Sequence, residues 1–387
     1  MSNANRRMVA LFLLSCMAFM SAIFAVQGAL LNAMIDGYAL TASRQGMANA
    51  AAFAGGIAAL VTAFFLQGRR RKRGLLKASV ALCAVMLALL CWAPNYALFC
   101  AVWLVTGFGL AMMDTLLSAC MADLYSGESA TRMLCVLHTV FGLASVLTPM
   151  LFQAMLAGGM PWKRVYLAIA AAGAALLAVA FAVRALWRIP DGEALNPRPV
   201  SLRDIAGGIR AGRLVALVAA MLFHGIFLSG LNTWINRYAE TLSGSFVVPA
   251  QSCLFLGIML SRLLLPLLPV GSGRYVRVAG VLGAVALAVG LCLESSLGLR
   301  AALVLSGLLA GALIPAILSL GCERLRERTL LATTAMMLAL YTGQAVSSPI
   351  IAGLEAALGL RAGIALCAVC MALCSGCCIA DTASRRG

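Results

Sequence analysis

The sequence predicts an all-α membrane protein of twelve transmembrane helices in two six-helix bundles, and three observations carry that prediction. The 387 residues are 63% apolar and only 11% charged, against about 45–50% and about 25% in soluble domains, and the mean hydropathy is +0.99. Water offers such a chain no way to hide its apolar surface. The apolar residues arrive in blocks of about 20, the helix length that crosses a hydrocarbon core of about 30 Å. Lys and Arg gather in alternate breaks between the blocks, which sets an orientation. No block alternates strictly in polarity as a membrane barrel strand does, so helices, which satisfy their own backbone in lipid, remain.

Span 1 runs from Met8 to Asn32, too long for a signal-peptide apolar region and without a small-residue cleavage site ahead of a polar chain, so it reads as a retained helix. Spans 2 and 3, Met47 to Gln67 and Leu75 to Ala93, flank the basic run Arg69 to Arg73. Spans 4 and 5, Ala97 to Ala122 and Met133 to Leu156, form a hairpin about Gly127, and span 6 is Val165 to Trp187. The longest polar stretch, Arg188 to Arg213 with Pro190, Pro197 and Pro199, is the expected linker at 188–213 between an N-terminal bundle, 1–187, and a C-terminal bundle, 214–387. Within it Leu202, Ile205 and Ile209 recur at helical spacing among arginines, which suits a short helix lying on the inner leaflet. Spans 7 to 9 are Leu214 to Ala239, Val247 to Pro269 and Val276 to Glu294; spans 10 to 12 are Ala301 to Gly321, Leu330 to Ala357 and Ala362 to Ala380. A shift of 200 residues lays Phe141 on Tyr341, Val146 on Val346, Thr148 on Ser348 and Pro149 on Pro349, so span 5 corresponds to span 11.

One set of loops holds Arg6, Arg7, the 69–73 run, Lys77, Arg132, Arg184, the linker arginines, Arg274, Arg277, Arg324, Arg326, Arg328, Arg385 and Arg386. The other holds only Arg44, Lys163, Arg164, Arg300 and Arg361. The positive-inside rule then puts both termini and the linker on the cytoplasmic face of the plasma (inner) membrane. The net charge of +16 is thus chiefly an orientation signal, with anionic inner-leaflet lipid as its partner. Nucleic acid is not an expected partner, because the basic residues are dispersed over loops. A monomer is expected.

Nearly all of the 14 cysteines lie inside apolar blocks, where a thiol behaves as a small hydrophobe. Cys367, Cys370, Cys374, Cys377 and Cys378 fall on one helical stripe; zinc sites of this spacing need a turn between ligands, so helix packing is expected, with no metal and no cofactor.

Polar side chains at membrane depth are costly, so their distribution is informative. Spans 3, 6, 9 and 12 carry no Asn, Gln, Asp, Glu or His in their interiors and are expected at the periphery. Elsewhere polar and small residues fall on single faces: Gly107, Ala111, Asp114 and Ser118 in span 4; His138, Gly142, Ser145 and Pro149 in span 5; Gly225, Ser229, Asn232 and Asn236 in span 7; Thr334, Tyr341, Gln344 and Ser348 in span 11. Helix packing explains the Gly and Ser positions. Asp114 reads as the only carboxylate well inside a span, at about the depth of His138 by its distance from the loop at Gly127. A carboxyl that must lose its charge in an apolar core can carry a proton, and His is suited to relaying one.

At this point the chain resembles the major facilitator superfamily and, within it, the fucose-permease-like sugar/proton symporter branch, over essentially its whole length. Asp114-Thr115-Leu116-Leu117-Ser118 is similar to that branch's acid-Thr-x-x-Asn motif, with Asp for Glu and Ser for Asn. The loop from Ser126 to Arg132 with Leu137-His138 and Phe141-Gly142, the pairs His224-Gly225 and Trp234-Ile235 with Tyr238, and Gly257 to Arg262 are also of family type. The resemblance implies the major facilitator fold, alternating access at a solute site between the halves, proton coupling at Asp114, solute contact at Ser118 and a gating role for Arg262.

Side-chain chemistry adds a neutral or weakly polar hydroxylated solute such as a sugar. Asn232 and Asn236, with Gln27 and Gln344, offer the donors and acceptors that hydroxyls require. Trp234 is a candidate stacking surface and Arg237 a candidate contact for an anion, which would make the solute a sugar acid. The expected function is proton-coupled uptake of such a solute. The alternatives are a proton-driven exporter of drugs or metabolites, although Leu147 to Phe152 lacks the exporters' Gly-Pro-x-x-Gly-Gly, and a non-transporting nutrient sensor on the same fold. An ATP-driven pump is excluded because Lys72, Lys77 and Lys163 follow Arg, Leu and Trp rather than the Gly of a phosphate-binding loop. With two histidines and neither HExxH nor GxSxG, no enzyme is expected.

Overall fold

A computed structural model describes residues 3–41, 44–66, 72–125, 128–183, 214–244, 247–264, 271–324 and 329–383. The expected linker at 188–213, most of the 69–73 run and the Ser126-Gly127 loop lie outside the described residues. The described elements are α1 (Asn3–Ala29), α2 (Leu31–Tyr38), α3 (Met47–Leu66), α4 (Lys72–Cys91), α5 (Tyr96–Leu124), α6 (Glu128–Ala157) and α7 (Trp162–Ala182). They continue as α8 (Val215–Glu240), α9 (Ala250–Leu264), α10 (Ser272–Cys292), α11 (Ser296–Ala310), α12 (Leu313–Arg324), α13 (Thr329–Leu358) and α14 (Leu360–Ala383). Among the described residues ten stretches are long and apolar enough to cross a membrane, and the shorter apolar helices at Met47–Ala63 and Ala250–Leu264 bring the number to the expected twelve.

Two expected spans are interrupted. Span 1 is α1 followed, after Leu30, by α2, and helical hydrogen bonding bridges the join from Leu30 to Val26 and from Met34 to Leu30. Span 10 divides into α11 and α12 at Gly311-Ala312. Pro315 has no N–H for the Gly311 carbonyl four residues back, so the α-helical ladder loses a rung at that point.

The chain forms two compact units, Met1–Met34 with Ala51–Arg198, and Ile35–Ala50 with Pro199–Gly387. In the first, α1 packs on α6, α5 and α7, and α4 lies between α5 and α7. Helices α3 and α5 meet backbone to backbone: an added Cβ at Gly107 would strike the Ala52 carbonyl, and one at Gly55 the Leu104 carbonyl. The Ser21 hydroxyl of α1 lies 2.7 Å from the Ser145 hydroxyl of α6 and 2.9 Å from the Phe141 carbonyl. Phe99, Trp103, Trp162 and Tyr166 join α5 to α7 in edge-to-face pairs such as Phe99–Tyr166, centroids 5.8 Å apart.

In the second unit α8 is the central rod, packed on α13 and α14. Gly225 lies under the Leu340 carbonyl and Gly343 under the Leu222 carbonyl, so α8 and α13 approach as closely as backbones allow. Helices α9 and α11 cross where Gly257 faces Gly307. Helix α14 docks through its small side chains: the Ser375 hydroxyl donates to the Val276 carbonyl of α10 at 2.6 Å and accepts from Gly280 N at 3.0 Å, and Cys367 fills the space over Gly230. Among the described residues no group of three His, Cys, Asp or Glu side chains is placed to hold a metal.

Among the ten long spans α1 and α8 are the most enclosed. Of its most apolar stretch α1 buries 67% and α8 61%, whereas α6 buries 22%, less than the polar-poor α4, α7, α10 or α14. An interior lacking amides is thus not by itself the mark of the least covered helix, because small side chains such as Gly280 and Ser375 draw α10 and α14 tightly onto their neighbours.

Candidate functional site

In the first unit Asp114 and Ser118 lie half-buried on α5, on the face that begins with the packed glycine Gly107, and His138 lies half-buried on α6. Gln27, one turn beyond Phe24 on α1, has its Nε2 buried without a partner among the described residues. Phe24 packs against Phe53 and Phe141 with centroids 6.4 and 5.8 Å apart. On the span 5 face, Ser145 is spent on packing to Ser21, as its small size suggested.

In the second unit the polar stripe of α8 is almost wholly enclosed, and most of it is paired. Asn232 Oδ1 accepts from Gln251 Nε2 at 2.7 Å. Asn236 clasps the same residue twice, its Nδ2 donating to Gln251 Oε1 at 3.1 Å and its Oδ1 accepting from Gln251 N at 3.0 Å. That last bond satisfies a first-turn N–H of α9, which has no partner within its own helix. The two asparagines and Gln251 therefore form one bonded set joining α8 to the start of α9.

Trp234 is 0% exposed, and its Nε1 donates to the Ser348 hydroxyl at 3.2 Å. The ring is enclosed in this structure and its N–H is held by α13. Asn49, on the first turn of α3 and counted with the second unit, donates to Ser348 at 2.8 Å and to Ser229 at 2.9 Å, and Ser229 in turn donates to the Gln344 carbonyl at 3.2 Å. The Gln344 side-chain Oε1 and His224 Nδ1 are buried without a partner among the described residues.

Arg237 is paired with a carboxylate of the same unit and stays partly exposed. Its Nε and Nη2 both donate to Glu355 Oε1, at 3.1 and 2.9 Å. Arg262 of α9 donates from Nε to the Gly311 carbonyl at 3.2 Å, the acceptor that Pro315 leaves without a helical donor. Tyr275 of α10 supports the same break by donating to the Leu309 carbonyl at 2.6 Å. Sequence reasoning missed Glu355, Gln251, Asn49 and Tyr275 as functional or positioning residues. Glu355 lies three residues from the end of α13, where a charge attracts no attention, and Tyr275 reads as an ordinary interfacial aromatic.

Twelve apolar helices with amides, carboxylates and two histidines inside them make a multi-pass membrane protein. The chain belongs to the Major Facilitator Superfamily, whose family model matches residues 11–340, and it is a transporter and not an enzyme. A bacterial homologue of the human lysosomal transporter Spinster, solved inward-facing and unoccupied, is similar with a TM-score of 0.78 at 13% identity over 99% of this chain and 98% of that one. A mutant of the nucleoside transporter NupG gives 0.76 at 10% identity over 97% and 99%. The xylose transporter XylE from E. coli, in a partially occluded inward-open conformation, gives 0.75 at 12% identity over 96% and 97%. No curated protein sequence matches the chain.

Proposed function

We propose that the protein is a proton-coupled uptake transporter for a small hydroxylated solute such as a sugar, working by alternating access in the plasma membrane with both termini cytoplasmic. The observation that carries this reading is the pair of buried amides, Gln27 and Gln344, each with a polar atom that no described residue satisfies. Buried polar atoms are normally paired, and a solute hydroxyl both donates and accepts. Two of the structurally similar proteins, NupG and XylE, are by name carriers of a nucleoside and of xylose, both hydroxylated. In this reading Asp114 carries the proton with His138 as a relay, and Gln27, Ser118 and Gln344 contact the solute. Asn232 and Asn236 shape the site through Gln251, and Arg262 acts as a gate by holding the broken span 10 at Gly311. The branch-level resemblance to fucose permeases belongs to the same proposal, as do anionic lipid at the inner leaflet and a monomeric assembly.

The test is a thermal-shift screen of purified protein against neutral sugars, nucleosides, sugar acids and lipophilic cations, repeated on Gln27→Ala and Gln344→Ala. Stabilisation by a hydroxylated compound that both substitutions weaken is the expected result. Stabilisation by lipophilic cations alone would refute uptake of this kind and favour export. For the orientation, a periplasm-active reporter fused after Gly387 is expected to be inactive.

A further inference from the structure

We infer that Glu355 is a second proton-binding site of this protein, with Arg237 as the partner that holds the carboxyl while one of its oxygens takes up and gives back a proton. The geometry of the pair carries the inference. An arginine and a carboxylate ordinarily meet fork to fork, two donors on two oxygens. Here both donors, Nε and Nη2, converge on Oε1 at 3.1 and 2.9 Å. The other oxygen, Oε2, is buried and has no hydrogen-bond partner among the described residues. A bare anionic oxygen in such a place is costly, and an unsatisfied buried group in a native structure asks for a reason. A proton given up by hydronium, forming an O–H bond at Oε2 and leaving water, removes the negative charge from that oxygen and leaves Oε1 as the acceptor of both Arg237 bonds. Nothing else in the pair has to move.

The pair is also open enough for the proton to arrive. The Arg237 side chain is 28% exposed and that of Glu355 14%. When the carboxyl is neutral the pair passes from zero to one positive charge, which a partly exposed guanidinium can tolerate. Among the described residues Tyr238 of α8 lies within electrostatic reach of Arg361 of α14 and of Glu294, and the 35–50 segment packs on α13 through Asn49 and Ser348. Arg361 is already engaged by Glu294 at 2.5 Å. Helix α12 meets α13 at the opposite end, where Cys322 lies 3.4 Å from Thr333.

This site deepens the proton-coupled reading but is tested without transport. The full chain is reconstituted in lipid vesicles and its infrared difference spectrum recorded as the pH is lowered from about 9 to about 4, the range in which protein carboxyls titrate. The protonated-carboxyl C=O absorption is expected to grow in the wild type, to lack one component in Glu355→Gln, to show that component moved in frequency in Glu355→Asp, and to keep it in Asp114→Asn. A spectrum that neither Glu355 substitution alters overturns the inference, and should Glu355→Gln fail to fold, Glu355→Asp decides alone. A titrating Glu355 in a protein that accumulates no solute would support the site while removing the transport reading.

Discussion

Two arginine–carboxylate pairs in the second unit differ in the features that separate a strut from a switch. Arg324 and Asp381 join α12 to α14 with side chains only 9% and 8% exposed, and Nη1 and Nη2 take one oxygen each. Arg237 and Glu355 join α8 to α13 with side chains 28% and 14% exposed and a single oxygen engaged. The first pair satisfies itself and closes. The second leaves an oxygen over, so the same two functional groups can fix a structure or hold a site, according to burial and to how many oxygens are taken. Four substitutions sharpen or break this comparison.

The largest effect is expected from Asp381→Asn, which leaves the Arg324 guanidinium enclosed without its counter-charge; breaking a buried pair from one side costs about 3–5 kcal/mol. Melting of the solubilised protein followed by circular dichroism should show a large fall in the apparent midpoint, and an unchanged midpoint would break the distinction. Next comes Arg262→Ala. It strips the buried Gly311 carbonyl of the donor that replaces Pro315, at about 1–3 kcal/mol for an unsatisfied group, and Arg262→Lys should recover only part of the loss because the ammonium cannot reproduce the Nε geometry.

Glu355→Gln is expected to cost about 1 kcal/mol or less, since an amide oxygen still accepts from Arg237 and the pair is partly exposed. Its melting midpoint should stay close to the wild-type value, in contrast with Asp381→Asn. The smallest effect belongs to the Lys72–Asp123 pair, 2.6 Å apart with side chains 32% and 24% exposed. Lys72→Ala should change stability by about 0.5 kcal/mol or less, and its removal should matter less still as salt is added.

The twelve spans were legible because helix length and lipid thickness impose one repeat on the whole chain. The breaks were only half legible. Pro315 and Gly311 stood in the sequence, but their consequence needed Arg262 and Tyr275 brought up from two other helices. The polar stripe of α8 was readable as a stripe, whereas its role was not. Asn232 and Asn236 look free until Gln251, at the start of the next helix, is placed against them, and Trp234 looks like a platform until Ser348 closes over its N–H. Glu355 was overlooked because one residue's distance from a span end says nothing about which oxygen its arginine will take. Periodicity reports which face a residue occupies, and only tertiary packing reports what that face meets.

We propose that a proton gradient drives the inward movement of a hydroxylated solute through Asp114. The most direct measurement is uptake of labelled sugars and nucleosides into vesicles containing the full chain, with the interior alkaline, with no gradient, and with Asp114→Asn in place of the wild type. The account predicts accumulation above the external concentration only with the gradient, and its loss in Asp114→Asn while exchange across equilibrated vesicles survives. Accumulation by Asp114→Asn equal to that of the wild type would contradict it.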